Sequence, residues 1–151
     1  MMFVIREFKE PDSQGLIFLL REQFKETPAS RLEKRVISCL NALEAKASTL
    51  LIAHSSNHAI IGYILIQWIH ELWADSSEAF ISSLFVQEEW RLKGVGNNLL
   101  EAAIQEAQKR SCARIFLENN CNSLMYRKNF YAKRGWKEKE DISVFEYPQN
   151  R

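Results

Sequence analysis

The spacing of apolar residues changes several times along this chain, and each change marks a structural element. Phe3-Val4-Ile5-Arg6 is a short apolar run that predicts a first strand. Pro11-Asp12 marks a helix start with Asp12 as its cap. Leu16, Leu20 and Phe24 recur at i, i+4 and i+8 with Ile17 and Leu19 beside them, so one face of that helix is buried. Thr27-Pro28 ends it. Ser30-Arg31-Leu32-Glu33 has the spacing of a capping box, and Leu32, Val36, Cys39, Leu40 and Leu43 form the stripe of a second helix. The pattern then becomes extended. Residues 49–53 and 60–66 predict the two arms of a hairpin around the polar turn 54–58. A polar stretch over 71–78 leads to a further strand over 80–86.

The second half alternates in the same way. Val95, Leu99, Leu100, Ala103 and Ala107 form a helical stripe ending near Arg110, and Arg114-Ile115-Phe116-Leu117 predicts a strand. Asn122 is placed to cap a helix running to about Arg134, which Gly135 closes. Trp136 and residues 142–147 predict a final strand. The order is β-α-α-β-β-β-α-β-α-β, an α/β fold with a mixed central sheet flanked by about four helices. The chain shows no internal repeat, low-complexity tract or boundary, so residues 1–151 predict a single domain.

Composition narrows the function classes. A net charge of +1 is not that of a dedicated nucleic-acid binder, whose affinity comes largely from neutralising phosphates. Cys39, Cys112 and Cys121 are odd in number, lack metal-ligand spacing and predict reduced thiols; His54, His58 and His70 add no ligand set, so no metal is expected. The opening residues lack a basic-then-apolar leader, and the longest apolar stretch, 59–66, is far too short to span a bilayer. The expectation is a cytoplasmic protein.

The chemistry is concentrated in the loop Arg91-Leu92-Lys93-Gly94-Val95-Gly96, between a strand and a helix. A helix N-terminus offers free N–H groups and partial positive charge, and glycines let the backbone approach an oxyanion closely. Arg91 and Lys93 add charge, so diphosphate is the natural guest. The dinucleotide fingerprint fails because Leu99 stands where its third glycine belongs. The nucleotide-triphosphate loop fails because Asn97 follows Gly96.

The remaining pattern, Arg91-x-x-Gly94-x-Gly96, is preceded by Leu84-Phe85-Val86-Gln87-Glu88-Glu89-Trp90 and followed by Asn97-Asn98-Leu99-Leu100. With these flanks it resembles the GNAT superfamily of N-acetyltransferases. Downstream, Phe130-Tyr131-Ala132-Lys133-Arg134-Gly135-Trp136 is similar to the family's aromatic-Tyr-x-x-x-Gly-aromatic segment, and the order of elements matches over essentially the whole chain. The resemblance implies acetyl-CoA as cofactor, with its pantetheine arm beside Leu84, Phe85 and Val86 in an opening between that strand and the strand at 115–117. Its diphosphate would lie on Arg91, Leu92, Lys93, Gly94, Val95, Gly96 and Asn97. It also implies acetyl transfer to a primary amine (a small molecule, a peptide N-terminus or a lysine) by direct attack in a ternary complex. Relatives are often homodimers.

The same resemblance assigns individual roles. Tyr131 matches the tyrosine that protonates the departing thiolate, with Tyr126 as the fallback, and Asn122 is placed near the pantetheine. Ser82 stands where relatives often carry an acid. The base is therefore either Glu118 or Glu78, or a water held by Ser82 or Ser83. The acceptor is expected at the connection after the first helix, at Phe24 and Glu26, and at the loop before the glycine-motif strand, at Trp73 and Glu78. The alternative is a CoA-binding regulatory or interaction module without turnover.

Overall fold

The structure is a computed structural model describing residues 2–149, and it divides into two compact units that meet between Leu117 and Glu118. In the first unit, β1 (Phe3–Glu7) leads through a 3-10 turn to α1 (Ser13–Gln23) and α2 (Ala29–Glu44). Next come β2 (Ser48–Ser55), β3 (Ile60–His70), β4 (Ser77–Val86), α3 (Val95–Lys109) and β5 (Arg114–Leu117). The sheet order is β1-β2-β3-β4-β5, antiparallel except for the parallel pair β4–β5. This is the expected α/β fold with a mixed sheet.

Helices cover both faces of the sheet. Leu16, Ile17, Leu19 and Leu20 of α1 and Leu32 and Val36 of α2 pack with Leu50, Ile52, Ile60 and Tyr63. On the other face lies the α3 stripe of Val95, Leu99, Leu100, Ala103 and Ala107, all at most 1% exposed. Strand residues alternate between the two layers, which is why β2 and β3 are nearly continuous apolar runs. Gly62 permits the close approach of α3. A Cβ there would stand 3.0 Å from the Phe85 carbonyl oxygen and 3.2 Å from Leu99 Cδ1.

Three helix caps differ from the expected ones. Asp12 precedes α1 but makes no capping bond. Its carboxylate instead accepts two hydrogen bonds from the Arg6 guanidinium at 2.7 and 2.8 Å and one from the Lys9 N–H at 2.8 Å. The Arg6 hydrogen bonds hold the Asp12 carboxyl below its usual range. Ser30 does not cap α2, because Pro28 already stands at the cap position and Ser30 falls inside the first turn. Strand β4 begins at Ser77, so part of the stretch expected as a connection is sheet.

The second unit contains α4 (Leu124–Arg127) and a 3-10 turn at Ala132–Arg134. The cap of α4 is Ser123, whose hydroxyl accepts from the Tyr126 N–H at 3.1 Å, and not Asn122. The expected helix to Arg134 stops early. Asn129 turns left-handed (φ 53°), and the N–H groups of Asn129 and Phe130 close back on the carbonyls of Tyr126 and Met125, both at 2.9 Å. Gly135 (φ 83°) ends the 3-10 turn in the same way. No final strand forms among the described residues. Ile142, Val144, Phe145 and Tyr147 are exposed, and the charged run 137–141 before them favours hydration over a ladder.

All three cysteines are free thiols, and burial raises the pKa of Cys39 and Cys112. No helix among the described residues is long and apolar enough to cross a membrane.

Two stability predictions follow from this packing. Gly62→Ala places a methyl group against backbone and is expected to destabilise the fold by about 1–3 kcal/mol, measured by chemical denaturation. Asp12→Ala is expected to cost about 1 kcal/mol at pH 7, since its partner Arg6 is 39% exposed and partly screened by solvent. Because folding lowers the Asp12 pKa, this contribution is complete above the unfolded value near ~3.9 and disappears as pH falls through the folded value. The gap between wild type and variant should therefore close in acid.

Candidate active site

Strand β4 has two different neighbours. It pairs with β3 along its whole length, but with β5 only from Glu78 to Ile81. Where the β5 pairing stops, the β3 register slips: Leu65 faces Ser83 and Ile66 faces Ile81, leaving Ser82 as the extra residue of a bulge. A bulge bends its strand and sharpens the local twist. The exposed Ser82 hydroxyl lies 3.4 Å from both the Leu65 carbonyl oxygen and Gln67 Nε2. Beyond it, Ser83, Leu84, Phe85 and Val86 continue against β3, and among the described residues no strand pairs with their other edge. Leu84, Phe85 and Val86 thus have one edge without a strand partner, although the Val86 carbonyl accepts from Arg91.

This one-sided stretch runs straight into the glycine loop. The Gln87 N–H donates to the Ile61 carbonyl at 2.8 Å, and the Glu88 N–H donates to the Glu22 carboxylate at 2.9 Å, fixing the 3-10 turn Glu88–Trp90. Both basic side chains then bind the loop itself. Arg91 Nε donates to the Val86 carbonyl at 3.0 Å, with its guanidinium 5.6 Å from the Phe85 ring centre. Lys93 donates to the Glu89 carbonyl, with its ammonium 5.8 Å from the Trp90 ring centre.

Leu92 (φ 60°) and Gly94 (φ 85°) are both left-handed, and Gly94 caps α3. A Cβ at Gly94 would meet only Asn98 Nδ2 at 3.7 Å, so its backbone conformation, not lack of space, is what calls for glycine. The first turn of α3 holds no acidic residue and receives no side-chain cap. Its leading amides and positive end therefore meet no carboxylate from the helix's own first turn. Val95 is buried at the first position and Gly96 and Asn97 follow half-buried.

The face of β4 toward α1 and α2 carries a separate polar cluster. Tyr63, paired with Phe85, donates its hydroxyl to Gln23 Oε1 at 2.7 Å. Burial raises the Tyr63 pKa and keeps the phenol protonated. Beside it, the Arg35 guanidinium lies 4.8 Å from the ring centre of the half-buried Phe24, and Glu26 is exposed on the α1–α2 connection.

The remaining expected acceptor residues lie at the other end of β4. Trp73 is exposed on the β3–β4 connection. Glu78 is 1% exposed and accepts from Arg114 Nη2 at 2.8 Å, and among the described residues its Oε1 has no hydrogen-bond partner. It stands eight residues from Val86, about 27 Å along an extended strand.

In the second unit, Tyr131 is half-buried between Phe130 and Trp136, with ring centres 5.0 and 6.2 Å away. Among the described residues its hydroxyl reaches only the Met125 sulfur, at 3.9 Å, and burial raises its pKa. Tyr126 is more exposed and donates to the Glu138 carboxylate at 3.1–3.3 Å, which raises its pKa. Glu118 and Asn122 are both exposed, and the Asn122 N–H donates to Asn120 Oδ1 at 2.8 Å. Among the described residues, no group of three His, Cys, Asp or Glu side chains could hold a metal.

The sequence did not point to the Ser82 bulge or to the grouping of Gln23, Arg35 and Tyr63. The available signal was a single phenol inside the aliphatic run 60–66, because a buried Tyr hydroxyl needs a partner.

Solved structures share this fold at low identity. A transcriptional regulator from Bacillus halodurans C-125 is 21% identical, with a TM-score of 0.80 over 97% of this chain and all of the other. AAC(6')-Iy, solved with the bisubstrate analogue CoA-S-monomethyl-acetylneamine, is 16% identical, with a TM-score of 0.79 over 99% and 100% of the two chains. The ribosomal-protein-alanine N-acetyltransferase of Brucella melitensis biovar Abortus 2308 is 15% identical, with a TM-score of 0.77 over 99% and 100%. No curated protein matches the sequence. The family model for acetyltransferases of the GNAT type matches residues 14–136, which span β4, the glycine loop and Tyr131, and the chain belongs to the acetyltransferase (GNAT) family.

Proposed function

We propose that this protein is an acetyl-CoA-dependent N-acetyltransferase that acts on a primary amine by direct attack in a ternary complex. The observation that carries this reading is the course of β4, which leaves β5 at the Ser82 bulge and runs one-sided into the start of α3. The fit to a CoA-type cofactor rests on three features. The main chain of Leu84, Phe85 and Val86 has an open edge for an amide-bearing arm. The segment Arg91, Leu92, Lys93, Gly94, Val95, Gly96 and Asn97 combines left-handed turns with an uncapped helix start, which suits a diphosphate. Most of that binding would come from main-chain N–H groups, because Arg91 and Lys93 are engaged with loop carbonyls. Asn122 is assigned to the pantetheine by its place in the motif.

The cofactor's thioester supplies the acetyl group, and its thiolate must be protonated on leaving. Tyr131 is the proposed donor. Its phenol is kept protonated by burial and is held only by a weak sulfur acceptor, so its proton is available. Tyr126 is already committed to Glu138. An attacking amine must first lose its own proton, and β4 presents hydroxyls at that level rather than a carboxylate. We assign this step to a water held by the exposed Ser82 hydroxyl, with Glu118, which follows β5 in sequence, as the alternative base. Phe24 and Glu26 are the proposed acceptor contacts, and Trp73, at the far end of β4, is left out of that group. Glu78, buried and ion-paired, is assigned to holding β4 against β5.

We read residues 1–151 as one transferase domain acting in the cytoplasm. The alternative of a CoA-binding module without turnover is favoured by one feature, the serines at 82 and 83.

Two experiments test the reading. Tyr131→Phe is expected to lower kcat about a hundredfold, while Tyr126→Phe stays near wild type, measured as thiol release from acetyl-CoA across an amine panel. Equal turnover by Tyr131→Phe and wild type would remove Tyr131 from the mechanism, and binding without thiol release from any amine would favour the module. Gly94→Asp is expected to weaken CoA binding on the order of a hundredfold in calorimetry, because its carboxylate stands where phosphate belongs. Gly94→Asn, which tolerates the same left-handed backbone without the charge, should lose much less.

A further inference from the structure

We infer that the acceptor amine also carries an anionic group, and that Gln23 and Arg35 recognise that group beside the open half of β4. The inference rests on the acetyl-transfer reading above and names the substrate class of the same site.

The geometry begins with Tyr63. Its side chain leaves β3 toward α1 and α2, on the same face as its strand partner Phe85. Its hydroxyl donates to Gln23 Oε1 at 2.7 Å, and its ring centre lies 6.4 Å from that of Phe85. Gln23 closes α1, and its carboxamide oxygen is thereby committed. The two N–H donors of its amide remain, at a half-buried position next to the open strand.

Arg35 supplies the charge. Its guanidinium is seated over Phe24, the residue after Gln23, and its charge also acts on the Tyr63 hydroxyl. Among the described residues no carboxylate pairs with it. An aromatic seat orients a planar fork of donors while leaving those donors free for a carboxylate or phosphate. Two acids stand near in sequence, Glu22, which accepts from the Glu88 N–H, and Glu26, exposed on the connection, and neither forms an ion pair with Arg35. On this face β4 presents Ser83 and Phe85, neither of which attracts a cation by charge. A purely cationic amine would meet Arg35 with repulsion. An amine tethered to an anion would be anchored at the far end while its nitrogen stays free to react.

The test is steady-state acetyl transfer to matched pairs that differ only in the anion: an α-amino acid against its carboxamide, and a hexosamine 6-phosphate against the free hexosamine. In wild type the charged member of at least one pair is expected to have the higher kcat/KM, on the order of tenfold and mainly through KM. The two arms distinguish carboxylate from phosphate. Arg35→Gln should bring the ratio near one and Gln23→Leu should reduce it, whereas Arg31→Gln, on the exposed surface of the same helix, should preserve it. The preference should also fall as salt is raised, because Arg35 is exposed.

Equal turnover within both pairs, a ratio that survives Arg35→Gln, or an equal loss in Arg31→Gln would overturn the inference. If no amine releases thiol, the transferase reading fails. The anion site is then judged by calorimetric titration of the same charged compounds into CoA-loaded protein. Binding lost in Arg35→Gln supports the site, and no binding to wild type overturns it.

Discussion

The bulge at Ser82 divides β4 into halves with different hydrogen-bonding obligations. Up to Ile81 the strand is paired on both sides and belongs to the sheet interior. From Ser83 it is paired only with β3, and its other edge must find partners elsewhere. An edge of this kind is costly when buried and risky when exposed, since it invites another strand. Here it is short and ends after a few residues in a glycine turn, which makes it better suited to an extended ligand than to another chain. The helix start lies at the end of the same edge. A ligand with an amide-bearing arm and a charged terminus would satisfy both features together.

The edge keeps its place because both of its supports are buried. Gly62 lies directly opposite Val86, and its lack of a side chain brings α3 down onto β3 and β4. The α3 stripe fills that space almost without exposure, so the helix N-terminus cannot shift relative to β4. At the other end, the Glu78–Arg114 pair ties β4 to the short β5. A carboxylate 1% exposed with one unpartnered oxygen is expensive to bury, and losing Arg114 would leave the charge uncompensated. The pair is better understood as fixing where β4 and β5 remain together than as adding stability.

The sequence showed the helices and the glycine loop because their signals are local. The α3 stripe repeats at 3.6 residues, and the positions of Gly94 and Gly96 follow from a strand ending and a helix beginning. Features that depend on two segments at once were not readable. The Ser82 bulge exists only as a mismatch between β3 and β4, and the Gln23–Tyr63 contact joins residues forty positions apart. Glu78 reads as solvated in sequence because burial of a charge depends on a partner thirty-six residues away. Two caps were misplaced, by two positions and by one, for a similar reason. Ser30 and Asn122 have the right chemistry, but Pro28 and Ser123 occupy the positions that the backbone uses. The expected final strand failed because apolar alternation over 142–147 is not enough without a ladder partner.

The loop's basic side chains have a different role from the one their charge suggests. Arg91 and Lys93 stand in the anion-binding pattern, yet each donates to a carbonyl one turn earlier and lies against an aromatic ring. They brace the loop from outside and so hold Leu92 and Gly94 in left-handed conformations. Their charge still contributes to the local field, but the directional bonds to a diphosphate would come from main-chain N–H groups. Selectivity then depends on backbone shape more than on side-chain identity. The strict requirements at this end of the site are a residue that accepts φ near 85° at position 94 and a buried stripe that anchors the helix behind it. The proposed acceptor end is the reverse case, since Gln23, Phe24 and Arg35 would act through side chains on the α1–α2 corner. On the proposed reading, substitutions there would change the acceptor without disturbing the main-chain geometry proposed to receive the cofactor.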